Sequence, residues 1–271
     1  EAKQMFATAL VPKLARLAAN GRPERIERRV LHTYGILEAE LDQRLKGLVS
    51  PGGGVRLGLL ASPLGVAVSL TASGVQVTAK AMDGLVQLIR RRIGKYIFAE
   101  GPDTMEAVVG RHLANRGVML AVAESCTGGL IGHRLTQMPG SSAYLDRVAV
   151  CYSNRAKTEL LGVPEALIRR YGAVSAEVAE AMARGVRIRS GVGIGLSVTG
   201  IAGPAGGTEQ KPVGLVYIGL NARRSRGVHG GSLTWEFRFH GTRDAIKLRA
   251  SQAALNLLRQ WLIETDGALR S

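Results

Sequence analysis

Ala121-Val122-Ala123-Glu124-Ser125-Cys126-Thr127-Gly128-Gly129 runs an apolar, strand-like approach straight into a hydroxyl, a thiol, a second hydroxyl and two glycines. A strand-to-helix turn has this order when it presents a nucleophile, or a cluster of backbone amides, to a ligand. Outward from it the chain alternates. A helix from residue 103 leads into a strand at Val118–Ala123, a helix follows from Gly128 to Gln137, then a strand from Leu145 to Cys151 and a helix beginning near Asn154. Another helix starts with Ser175 as its N-cap and Glu177 in its first turn, and runs past Met182. Strands are expected at Val192–Val198, Val213–Leu220 and Leu233–Phe239, and a last long helix from about Thr242 to Ile263. Strands interleaved with amphipathic helices define a layered α/β domain.

Toward the amino end, residues 1–20 read as an amphipathic helix with Phe6, Leu10, Leu14 and Leu17 on one stripe, stopped at Asn20-Gly21-Arg22-Pro23. A strand at Ile26–Thr33 and a helix at Glu38–Leu48 follow, then the break Ser50-Pro51-Gly52-Gly53-Gly54. A hairpin joins Val55–Leu60 to Val66–Leu70 through Ser62-Pro63-Leu64-Gly65, and a helix over 80–93 closes a small β-α-β-β-α unit. The division expected is therefore a helical tail (1–23), a small α/β domain (24–100) and a larger α/β domain (103–271), separated at Glu100-Gly101-Pro102.

With 271 residues and 46% hydrophobic content the chain can bury two cores. No apolar run reaches the roughly 18 residues that cross a bilayer, and Glu1-Ala2-Lys3-Gln4 lacks the basic-then-apolar order of a secretory signal. The absence of an initiator Met is what a piece of a longer protein would show. Cys126 and Cys151 lie in apolar segments without paired spacing, which points to a reducing, cytoplasmic setting rather than to disulfides or zinc. His32, His112, His133, His229 and His240 are scattered, so neither a metal nor another cofactor is expected. A formal charge of +15 invites a nucleic-acid reading. However, it divides evenly, +7 over residues 1–116 and +8 over 117–271. The densest run, Arg90-Arg91-Arg92, also reads as the solvated end of a helix.

Four loops of the larger domain gather small, hydroxylic and charged residues: Glu124–Gly129, Pro139–Ser142, Tyr152–Lys157 and Thr199–Pro212. Each follows or flanks a strand, and ligands of α/β sheets collect in the crevice beyond strand ends. A serine hydroxyl is inert near neutrality unless a base takes its proton, and no histidine lies in these loops. Lys157 is the candidate base, Tyr152 could relay a proton, and Thr199 with the glycine amides after it could hold an oxyanion or a phosphate. Each residue also has a bland role open to it. Ser125 and Thr127 suit the cap of the helix at Gly128, Ser153 or Asn154 the cap of the helix bearing Lys157, and Cys126 the place of a small buried hydrophobe.

Taken together, Ala123–Gly129, Gly140-Ser141-Ser142-Ala143, Tyr152-Ser153-Asn154-x-Ala156-Lys157, Gly172-Ala173-Val174-Ser175, Thr199–Pro204 and Lys211-Pro212-Val213-Gly214 resemble, in order and spacing, the C-terminal domain of the CinA family. That domain family includes the nicotinamide mononucleotide deamidases, and the likeness covers about residues 104–263. The small unit resembles the KH-type middle domain of CinA, and Glu1–Leu17 the tail of its N-terminal domain, otherwise missing here. No pyrophosphatase function is therefore expected of the chain. The resemblance implies metal-independent hydrolysis of the carboxamide of nicotinamide mononucleotide to nicotinic acid mononucleotide and ammonia, in pyridine-nucleotide salvage. It implies Ser125 as nucleophile and Lys157 as general base, with Tyr152 and Ser142 as supporting hydroxyls. The substrate residues it implies are Thr127, Gly128, Gly140, Thr199, Gly200 and Arg243, the last suited to the 5′-phosphate. Whether Ser125 or Ser142 forms the bond stays open at this level.

The resemblance also suggests a homodimer, for which apolar surfaces on the first and last helices could supply an interface. Cys151 stands where the family usually has Thr. The middle unit lacks the Gly-x-x-Gly clamp with which KH domains hold nucleic acid, which argues against such binding. The alternative of another class is a nucleic-acid-associated or scaffolding protein of competence and DNA damage, resting on the KH-like unit and the basic charge.

Overall fold

The computed structural model describes residues 5–18, 26–50, 52–73, 78–223 and 230–270, with the backbone alone at 17–18 and 266–270. Two compact units form, one of residues 1–61 and 66–101 and the other of 62–65 and 102–271. At the amino end a π-helical turn, Phe6–Leu10, runs into α1 (Val11–Ala18). Phe6, Leu10 and Leu14 of the expected stripe are exposed. The expected stop at Asn20–Pro23 lies outside the described residues.

The first unit contains β1 (Ile26–Thr33), α2 (Glu38–Leu45), β2 (Val55–Ser62), β3 (Gly65–Ser73), α3 (Ala79–Ile93) and β4 (Ile97–Glu100), with sheet order β2-β3-β1-β4. Alternate residues of β3, namely Val66, Val68, Leu70 and Ala72, face a core shared with Leu41 and Leu45 of α2 and Met82, Val86, Ile89 and Ile93 of α3. Periods of 2 and 3.6 thus meet across one interface. β4 was not read from the sequence, because four residues show no period; it exists by antiparallel pairing with β1. The unit is β-α-β-β-α-β. In the basic run of α3, Arg90 pairs with Glu100 at 2.7 Å and Arg92 donates to the carbonyls of Arg44 and Lys46. Two of its three arginines are spent inside the unit.

The second unit orders β5 (Leu120–Glu124), β6 (Leu145–Val150), β7 (Ile194–Gly200), β8 (Leu215–Ala222) and β9 (Gly231–Arg238) as β6-β5-β7-β8-β9. β6, β5 and β7 run parallel, whereas β8 and β9 are antiparallel. The helices are α4 (Met105–Arg116), α5 (Leu130–Thr136), α6 (Asn154–Leu161), α7 (Glu165–Tyr171), α8 (Ala176–Ser190) and α9 (Arg243–Arg270). α7 was not read from the sequence. β5 is buried throughout, as a central parallel strand must be. α8 lies close on the sheet: a Cβ at Gly195 would stand 2.1 Å from the carbonyl oxygen of Ala183. α9 packs on α4, α5 and β7. Leu255, Leu258 and Leu262 of this helix are fully buried within the chain, so the apolar face expected to serve a dimer is consumed internally.

Candidate active site

Because β5, β6 and β7 are parallel, their carboxyl ends open on one edge of the sheet and deliver three loops together. Ser125 follows β5, Cys151 and Tyr152 follow β6, and Thr199 and Gly200 end β7. The Ser125 amide extends the ladder by donating to Val198 O at 2.9 Å, and the Cys151 amide donates to Glu124 O at 2.7 Å.

The turn after β5 closes with Gly128 N–H on Ser125 O, and Gly128 and Gly129 take φ of +63° and +92°, open without strain to glycine alone. Neither Ser125 nor Thr127 caps the helix that follows. The carboxylate of Glu124, wholly buried, accepts the amides of Gly129 (2.9 Å), Ile131 (3.2 Å) and Gly132 (2.9 Å). This residue opens the Glu124–Gly129 loop read from the sequence but was not singled out there as a site residue. Its signal was an acid placed shortly before a helix start, where a negative charge meets otherwise unpaired amides.

Ser153 caps α6, its Oγ accepting the Ala156 amide at 3.0 Å, and this sets the first turn that carries Lys157. The Lys157 side chain is 1% exposed, and its Nζ lies 3.2 Å from Ser125 Oγ and 2.9 Å from Cys151 O. Burial lowers the pKa of this amine below the ordinary lysine value, which favours the neutral form that can accept a proton. Cys126 moves the other way. Burial pushes its thiol up to about 12, so it is a buried thiol and not a nucleophile.

The opposite wall is braced by side chains bonded to backbone. Thr199 Oγ1 donates to Ala173 O at 2.8 Å, and Lys211 Nζ donates to Tyr171 O and Val174 O at 2.6 and 2.7 Å. Gly172, at φ +79°, leaves the room Lys211 needs: a Cβ there would stand 2.8 Å from Nζ. Arg243, at the start of α9, donates through Nη1 to Gly203 O and through Nη2 to Tyr152 Oη at 2.8 Å. A cavity of about 210 Å³ results, lined by Ser125, Lys157, Tyr152, Thr199, Gly200 and Arg243, together with Asn154 and Val174. A larger cavity, of about 660 Å³, lies against α8 among Leu161, Glu177 and Arg184, and holds no paired nucleophile and base.

Four expected residues do not line the Ser125 cavity. Thr127 is wholly buried, and its Oγ1 has no hydrogen-bond partner among the described residues. Gly128 is exposed beyond the turn. Gly140 lies beside Gly110, Met138 and Tyr144 at another cavity, and Ser142 is exposed in the 3-10 turn Ser141–Ala143. That turn precedes β6, so within the chain Ser142 sits at the amino end of the parallel pair and Ser125 at the carboxyl end. Asn154, Val174 and Lys211, by contrast, shape the site without having been singled out as site residues.

This site, a serine facing a buried lysine at the strand ends of an α/β sheet, lies within the longer of two stretches that match known families. The family model of the CinA C-terminal domain matches residues 102–262, and that of the damage-inducible protein CinA KH domain matches residues 28–99. The chain belongs to the CinA family, with a KH-like domain followed by the C-terminal domain.

A CinA-like protein of Geobacter sulfurreducens is 43% identical over 265 residues, covering 97% of this chain and 62% of the relative. A Moorella thermoacetica protein named for competence-damage induction is 45% identical over 260 residues, covering 95% of this chain and 61% of that protein. The chain thus spans about three fifths of the length of these relatives. Among solved structures, the competence/damage inducible protein CihA of Agrobacterium tumefaciens superposes with a TM-score of 0.54 at 39% identity, over 62% of this chain and 99% of that one. A CinA superfamily protein of Klebsiella pneumoniae gives 0.55 at 31% identity, over 59% and 96%. Among the described residues, no helix is long and apolar enough to cross a membrane.

Proposed function

We propose that the second unit hydrolyses the carboxamide of nicotinamide mononucleotide to nicotinic acid mononucleotide and ammonia. The observation that carries this reading is the 3.2 Å approach of Lys157 Nζ to Ser125 Oγ inside a cavity from which Lys157 is closed to bulk water. A neutral Lys157 takes the Ser125 proton as Oγ attacks the carboxamide carbon, forming a tetrahedral adduct. The adduct collapses as Lys157 returns that proton to the amide nitrogen, and ammonia leaves. Water then attacks the seryl ester, giving a proton to Lys157 that passes back to Oγ when the C–O bond breaks. The Ser125 amide is committed to Val198 O and the Thr199 hydroxyl to Ala173 O, so oxyanion stabilisation falls to other donors at the cavity, in the loop that follows Gly200. Tyr152, held by Arg243, stands at the rim as a supporting hydroxyl.

The same reading carries a cytoplasmic setting, supported by two free and buried cysteines, and a homodimer. Its test is the release of ammonia from nicotinamide mononucleotide by the purified chain in excess chelator. Activity that persists in chelator and vanishes in Ser125→Ala is expected. No ammonia from the intact chain, or turnover that survives in Ser125→Ala, would sink it.

A further inference from the structure

We propose that Lys247 is an anion-binding residue of this site, holding the 5′-phosphate of the mononucleotide at the cavity mouth beside Arg243. The proposal rests on the amidase reading for the reacting end of the ligand, and it concerns what holds the other end.

The cavity's own size calls for an outside contact. At about 210 Å³ it falls below the roughly 300 Å³ at which small-molecule sites begin, so it can enclose a ring and its carboxamide but not a whole mononucleotide. A phosphate on that ligand must sit at the rim. The backbone amides that a Gly-Gly turn ordinarily offers an anion are not open to it, since the Glu124 carboxylate already accepts those of Gly129, Ile131 and Gly132.

Arg243 lines the cavity, yet it is divided between two neighbours. With Nη1 on Gly203 O and Nη2 on Tyr152 Oη, two of its five donors are already spent on bracing the site. Lys247 follows it by four residues on α9, which puts both side chains on one face of the helix, a turn apart. Its Nζ lies 3.6 Å from the point where a Cβ of Gly128 would stand, at the exposed end of the turn that begins with Ser125. The charge also reaches Cys126, the residue after Ser125, whose thiol it draws downward against the larger upward push of burial. Lys247 is half-buried, and its side chain makes no hydrogen bond or ion pair with any described residue. A compact ammonium on a flexible stem, with three donors uncommitted, is suited to a phosphate that moves between bound and free ligand.

The experiment compares binding of nicotinamide mononucleotide and nicotinamide riboside by titration calorimetry. It is done in the Ser125→Ala background so that neither ligand turns over, with Lys247 intact, as Lys247→Met and as Lys247→Arg, at low and high salt. With Lys247 intact the mononucleotide is expected to bind more tightly than the riboside. Lys247→Met should cut that preference about tenfold or more, the worth of a charge-assisted hydrogen bond, and flatten its salt dependence. Lys247→Arg should keep most of it. An unchanged preference in Lys247→Met, an equal loss for both ligands, or no preference with Lys247 intact overturns the assignment.

Ammonia release by the unaltered chain is read separately. A Lys247-dependent preference without ammonia release would sink the amidase reading and leave Lys247 standing. Release of ammonia with a Lys247-independent preference would do the reverse.

Discussion

The parallel pair β5–β6 carries a candidate serine beyond each of its ends, and the two stand in different surroundings. At the carboxyl end Ser125 is 7% exposed, its amide is tied to β7, and a buried lysine faces its hydroxyl. At the amino end Ser142 is exposed in a 3-10 turn, and its hydroxyl makes no hydrogen bond with a described residue. Their side chains are chemically identical. What separates them is a desolvated amine: a hydroxyl becomes a nucleophile where a neutral base is held against it, and burial shifts Lys157 toward that neutral form.

The comparison is broken most directly at Ser125. Ser125→Ala is expected to lower ammonia release at least about 10³-fold with the thermal midpoint little changed, as measured by a coupled ammonia assay and calorimetry. Lys157→Met should cost about 10²- to 10⁴-fold, the range for a general base. The pH dependence follows from the downward shift of Lys157. The neutral amine is the active form, so kcat/KM should climb with pH through a midpoint below the ordinary lysine value of 10.5. Stability follows the same sign. Above its lowered folded pKa the buried amine has lost a proton that the unfolded chain still holds, so stability rises with pH in that window and Lys157→Met should abolish the rise. A pH profile whose midpoint lies at or above the ordinary value would contradict the role of burial.

Glu124→Gln is predicted to come next. The amide leaves at least one of the N–H groups of Gly129, Ile131 and Gly132 without an acceptor, at about 1–3 kcal/mol, and loosens the turn on which Ser125 sits. A lower thermal midpoint and a kcat reduced about tenfold, with KM changed less, are expected. Ser142→Ala should be the mildest, within about threefold, the scale of an exposed substitution. A loss beyond tenfold would mean that the two strand ends meet between copies of the chain. Mixing Ser125→Ala with Ser142→Ala chains would then restore activity.

Much of the fold was legible because its determinants act over a few residues. The caps at Ser153 and Ser175, the alternation of β1 and β3 and the stripe of α3 each show within one or two turns of chain. β4 was not legible, since four residues hold too little pattern and depend on pairing with β1, and α7 was not read either. The apolar face of α9 was visible, but what covers it was not. The sequence pointed to a second copy, whereas α4, α5 and β7 of the same chain pack on it.

The chain by itself determined the inventory of the site: which loops carry hydroxyls, which lysine stands without a histidine rival, and where glycine must free the backbone. Only the tertiary structure decided which serine that lysine faces. Ser125 and Lys157 are 32 residues apart and Ser142 is nearer in sequence, yet parallel pairing of β5 and β6 puts the first two at one sheet edge and Ser142 at the other. Tertiary structure also decided that the Glu124 carboxylate, not a ligand, fills the amides of Gly129, Ile131 and Gly132. The physical reason is common to both: desolvation and strand pairing belong to the packed sheet, and no stretch of sequence contains either alone.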